Sequence, residues 1–180
     1  MMLSSGVMGE GISDWSRFER LTPFRVRDVL LVASHFDHYL LEESGYLAEI
    51  MQEEYSDLNL SQAPRIIHSP DARDALELLS AREFDLVITM ARVGEMDVKA
   101  FGTEAKRVIE GLPVVMLSHN TRELATLSAG DGIDRIFVWT GDSRILLSIC
   151  KLIEDERNVE NDVRDGDVQV ILLVEDSRRF

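Results

Sequence analysis

Five short apolar runs, each followed by a segment with helical spacing, constrain this chain more than any other feature. Val26–Ala33 is almost uninterrupted in apolar residues, which suits a strand covered on both faces. Shorter runs follow at Arg65–His68, Asp85–Met90, Pro113–Leu117 and Arg135–Trp139. The helical segments are His38–Tyr55, Ala72–Arg82, Val98–Glu110, Thr121–Ser128 and Asp142–Asp155. In the first of these Leu41, Leu47, Ile50 and Met51 share one side, and in the second Ala75, Leu76 and Leu79 do. Asp71 stands where a helix N-cap is wanted, and Gly130 or Gly132 where the fourth helix must stop. Strands that alternate with helices pair in parallel, so the expectation is an α/β fold. It is a doubly wound five-stranded sheet with helices on both faces.

Charge narrows the function. The net charge is −14, from 33 acids against 19 bases. A phosphate backbone needs a basic face, so nucleic acid is excluded as an expected partner. Part of the excess sits in Glu154–Asp167, which reads as a solvated linker or an exposed helix end. No apolar run approaches the roughly 18 residues of a membrane span, and residues 1–25 lack the apolar centre of a signal peptide. The single cysteine, Cys150, lies in the apolar stretch Ile145–Ile153 and reads as a core thiol. The expected location is the cytoplasm, with no membrane partner.

The first strand has a second copy. Residues 29–34 read VLLVAS and residues 171–176 read ILLVED. The apolar frame repeats, but Ala33 and Ser34 of the first copy become Glu175 and Asp176 in the second. Paired carboxylates at the end of a buried parallel strand are suited to Mg²⁺. Four segments follow from this reading. Residues 1–24 are an extension in which Trp15, Phe18 and Leu21 have helical spacing, and residues 25–156 are one domain. Residues 157–167 are an acidic linker, and residues 168–180 open a second domain with Val168–Val174 as its first strand. A strand that closes on the sheet of the first domain is the alternative for 168–180.

The segment Asp85–Asp97, DLVITMARVGEMD, resembles the third-strand region of response-regulator receiver domains, DLVLLDxxMPGMDG. Pro113–Ser118 and Gly132–Asp142 match two further landmarks of that family in order, so the resemblance spans roughly residues 26–156. It implies a CheY-like sheet of order 2-1-3-4-5. It also implies a site of an acid pair for Mg²⁺, a phosphoaccepting aspartate, a Thr/Ser switch residue and a lysine. On this sequence those positions carry Ala33 and Ser34, Met90, Ser118 and Trp139. Methionine has no oxygen nucleophile, and alanine with serine supplies no charge to hold a metal. Only Ser118 keeps the family's chemistry. Asp97 matches a family aspartate that lies beyond the phosphate pocket. The expectation is a pseudo-receiver: not an enzyme, with no cofactor, acting through protein contacts. Its partner would be another protein or downstream domains of the same polypeptide, and a homodimer is also compatible. In the second copy, Glu175 and Asp176 would be metal ligands of a second receiver. An anion or small ligand in the vacated pocket, held by Ser34, His35, Ser118 and His119, is the alternative function. A further alternative is a regulatory segment of a phosphotransfer enzyme.

The wording PFRVRDVLLVAS, LLEESGYLAEI and NLSQAPRI is similar to the N-terminus of large bacterial proteins. In these, receiver-like domains precede a PEP/pyruvate-binding module of the pyruvate, phosphate dikinase type. No residue of a dikinase site lies in these 180.

His35 and His38 form an H-x-x-H with Asp37 as the nearest further ligand, too few for zinc, so they read as loop histidines. Two readings of Trp139 stay open. It is an exposed anchor on the face formed by Thr121–Ser128, Arg135–Trp139 and Asp142–Asp155, or it fills the space beside Met90.

Overall fold

The computed structural model describes residues 23–43, 63–119, 130 and 132–166. Five strands form one parallel sheet: β1 (Asp28–Val32), β2 (Arg65–Ser69), β3 (Leu86–Met90), β4 (Val114–Ser118) and β5 (Arg135–Val138). Their order is β2-β1-β3-β4-β5, the doubly wound order expected. The helices are α1 (His35–Glu43), α2 (Ala72–Ala81), α3 (Val98–Val108) and α4 (Ile145–Gly166).

Burial follows the strand pattern. Every residue of β3 and β4 is buried, as central strands with both faces covered require. Alternate residues serve opposite faces. Leu30, Val32, Val87, Val114 and Met116 pack with Ala72, Ala75 and Leu79 of α2 and Val98, Phe101 and Ala105 of α3. Val29, Leu31, Val115 and Leu117 are buried on the other face. Leu41 of α1 and Ser143, just before α4, meet through a buried hydrogen bond in which Ser143 Oγ donates to the Leu41 carbonyl (2.8 Å). Asp71 caps α2 as expected, accepting from the N–H groups of Arg73 and Asp74. At the sheet's other end Asp28 accepts from Arg65 and Arg82. These bonds, Arg65 foremost, hold its carboxyl below the usual range.

Two closely packed glycines lock α3 to the turn before β5. An added Cβ on Gly102 would lie 2.5 Å from the Gly132 carbonyl oxygen, and one on Gly132 would lie 2.4 Å from Thr103 N. Gly132 also has φ +94°, a left-handed conformation that glycine adopts freely.

The expected last helix, Asp142–Asp155, differs from what is found. Helix α4 runs from Ile145 to Gly166, so the stretch read as an acidic linker, 157–167, is helical as far as Gly166. Its charges explain this. Glu160 stands three residues after Arg157 and four before Arg164, spacings at which opposite charges support a helix, and no glycine intervenes before 166. The chain divides into two compact units: Val26–Ile153 is one, and the described part of the other is residues 23–25 and 154–166. Within the latter, Phe24 N–H donates to Asn158 Oδ1 (2.9 Å) and Asn158 Nδ2 donates back to the Phe24 carbonyl (2.8 Å). The Arg157 guanidinium lies 4.5 Å over the Phe24 ring. The helix expected at Thr121–Ser128, the helical spacing at Trp15–Leu21, the strand at Val168–Val174, and Glu175 and Asp176 lie outside the described residues.

Candidate functional site at the carboxyl edge of the sheet

The carboxyl ends of β1, β3 and β4 bring together the residues that the receiver pattern singled out. Ala33 is fully buried; its N–H donates to the Ser69 carbonyl (3.0 Å), and its own carbonyl lies 2.7 Å from His68 Nε2. Ser34 is the N-cap of α1. The Asp37 N–H donates to Ser34 Oγ (3.1 Å), and that hydroxyl donates back to Asp37 Oδ2 (2.7 Å). The position where the pattern wants a metal-binding acid is thus spent on starting a helix.

Met90 ends β3 and is 2% exposed. Ser118 ends β4, fully buried, and its carbonyl accepts from the Trp139 N–H (2.9 Å). Trp139 is 4% exposed, with its indole Nε1–H donated to the Asp142 carbonyl (3.1 Å). This corrects the exposed-anchor reading: the indole is turned inward and its ring lies 5.0 Å from that of His119. Asp97 has a structural task, as the N-cap of α3 accepting from Lys99 and Ala100 N–H.

An open cleft of about 480 Å³ remains at this edge, lined by Ser34, Asp37, Met90, Ala91, Arg92, Gly94 and His119. Among the described residues Asp37 is the only carboxylate lining it, and it is already engaged: Oδ2 by Ser34 and Oδ1 by His119 Nε2 at 3.0 Å. A Mg²⁺ ion here would have one occupied carboxylate in place of a pair.

The sequence did not reveal how the histidines associate. His35 and His38 lie in the first turn of α1, not in a loop, and both face His68 of β2. The His38 and His68 rings stack at 3.9 Å between centroids, and the His35 ring meets that of His68 edge-on at 5.7 Å. The parallel register that pairs Leu31 with His68 brings them together. His68 was legible as a strand residue, but its neighbours depend on that register. Among the described residues no group of three ligands is placed to hold a metal ion. Burial, and next the His68 imidazole, push the His38 pKa below its ordinary 6.5, while Glu42 at 3.7 Å opposes them. Its neutral form therefore favours the fold. That stability is present above about pH 6.5 and declines as pH falls from there through the lowered value.

The chain matches no protein-family model and no curated protein sequence. Solved structures do match. A CheY-like response-regulator receiver domain from Methanospirillum hungatei JF-1 superposes with a TM-score of 0.57 at 18% identity, covering 75% of this chain and 98% of that one. The chemotaxis response regulator CheY4 of Vibrio cholerae gives 0.54 at 17%, covering 71% and 98%. A streptococcal protein, described as one of a family of redox sensors that evolved from two-component response regulators, gives 0.55 at 16%, covering 84% and 59%. The fold is therefore that of a CheY-like receiver, as the sequence pattern implied. Among the described residues no helix is long and apolar enough to cross a membrane.

Proposed function

We propose that residues 26–153 are a receiver-like signalling module that accepts no phosphoryl group and acts through protein contacts. One observation carries this reading. At the three places where receiver chemistry needs carboxylates, the folded chain presents buried Ala33, the helix-capping hydroxyl of Ser34 and buried Met90. No oxygen nucleophile occupies the end of β3, and the lysine position holds an inward-turned Trp139. The module would be cytoplasmic and non-enzymatic, contacting another protein or later domains of its own polypeptide. The net charge of −14 favours neither nucleic acid nor an anionic membrane surface. The streptococcal neighbour supports the idea that this fold can carry signals other than phosphorylation.

Amide spectra of the full chain test this. Adding Mg²⁺ and beryllofluoride should leave the resonances of Ser34, Met90 and Ser118 in place. Saturable shifts centred on Met90 would overturn the proposal. A second reading, anion binding in the cleft, is favoured by its volume, which lies in the usual range for small-ligand sites. The same spectra recorded with inorganic phosphate alone would then move Ser34, Arg92 and His119 but not the buried Ser118.

A further inference from the structure

All four histidines of the chain cluster at this edge, and they grip the first turn of α1 from two sides. On one side His35 and His38 lie against His68 of β2. On the other, Asp37 of the same turn reaches His119, which follows β4. Residues 35 and 38 are three apart and share a helix side, while residue 37 points away from them. These two contacts respond to protons in opposite senses.

We propose that the first turn of α1 is a proton-operated toggle, seated on His68 when the imidazoles are neutral and drawn toward His119 when they are charged. In the neutral state stacked rings are compatible, and His68 donates Nε2–H to the Ala33 carbonyl. Protonating both His38 and His68 places two cations in stacked contact, and His35 beside them adds a third. Protonating His119 converts its hydrogen bond to Asp37 into a charge-assisted ion pair, a stronger interaction. Acidification therefore weakens the β2 side and strengthens the β4 side of one short element.

The surrounding charges set the balance. Among the described residues, Glu42 of α1 faces His38 and favours its charged form. Arg92 and Asp37 are the charged groups that share the cleft with His119. The lowered pKa of His38 agrees with a neutral ring at that position. The output is built in. His119 lies against Trp139, and α1 displays Phe36 and Tyr39, 68% and 57% exposed. Moving this turn would reposition that aromatic pair and the indole together. This inference goes beyond the pseudo-receiver reading and does not depend on the outcome with beryllofluoride.

The test is an NMR pH titration of the full chain between pH 7.5 and 5.5. It would follow the imidazole Cε1–H signals, the amides of residues 34–39 and the Trp139 indole N–H. In the wild type the α1 amides and the indole should move with a shared midpoint. His68→Gln should at least halve the α1 shifts and displace the indole midpoint, although residue 68 has no described ring contact with Trp139. Asp37→Asn keeps hydrogen-bonding capacity but removes the charge, and should abolish the response of the α1 amides to His119. If either variant fails to fold, the other still decides the matter. Independent midpoints for His38 and His119, or an α1 amide response unchanged in a variant that folds, would overturn the proposal.

Discussion

Gly132→Ala is expected to destabilise the fold by about 3 kcal/mol or more. The figure combines about 1–3 kcal/mol for a side chain forced into a left-handed conformation with a similar cost for overpacking. The overpacking arises because the new Cβ would lie 2.4 Å from Thr103 N and 2.7 Å from the Lys99 carbonyl. Both are backbone atoms of α3, so relief requires the helix and the turn before β5 to separate. Gly111→Ala supplies the control. Gly111 also has positive φ (+72°), but no atom of the described residues lies within 4 Å of its added Cβ. Its cost should be the conformational part alone, about 1–3 kcal/mol. Urea unfolding of both variants checks this. Equal losses would mean that the contact between Gly102 and Gly132 is looser than described.

Met90→Asp carries the second large effect. The substitution restores the residue type that the receiver pattern wants, yet it places a carboxylate at a position 2% exposed, with Ala33 and Ser34 in place of the acid pair that would bring a cation. Burial disfavours the charged form and raises the pKa of such a group. The expected loss is about 2–4 kcal/mol at neutral pH. The sign is definite: a carboxyl whose folded pKa is raised costs stability above its unfolded value near 3.9, so the penalty fades as pH falls toward it. Met90→Leu, which conserves shape, should lose less than about 1.5 kcal/mol. Stability curves against pH for the two variants separate burial of charge from loss of packing. A Met90→Asp protein as stable as Met90→Leu at pH 7 would show that the end of β3 is wetter than its burial implies.

Much of this fold is written locally. Uninterrupted apolar runs such as Val26–Ala33 announce buried parallel strands, and Asp71 announces α2. Strand ends agree within two residues because apolar runs stop where the chain leaves the sheet. Helix α4 was harder to delimit: acidic composition suggested a linker, while the spacing of Arg157, Glu160 and Arg164 and the Phe24–Asn158 hydrogen bonds favour helix. The identities of the site residues were legible because they follow fixed strand ends. Their interactions were not. That Ser34 caps α1 is a local event, foreshadowed by Asp37 three residues on. That His68 stacks on His38, and that His119 reaches Asp37, depends on parallel register and on strands distant in sequence. The inward turn of Trp139 rests on the Asp142 carbonyl, a backbone partner that residue types do not disclose.

The central claim is that a receiver fold here works without its phosphoryl chemistry. Intact-mass spectrometry of the full chain after incubation with acetyl phosphate and Mg²⁺ tests it most directly. The expected result is an unchanged mass at all incubation times. A gain of one hydroxylamine-labile phosphoryl group, mapped to a carboxylate in residues 26–153, would contradict it.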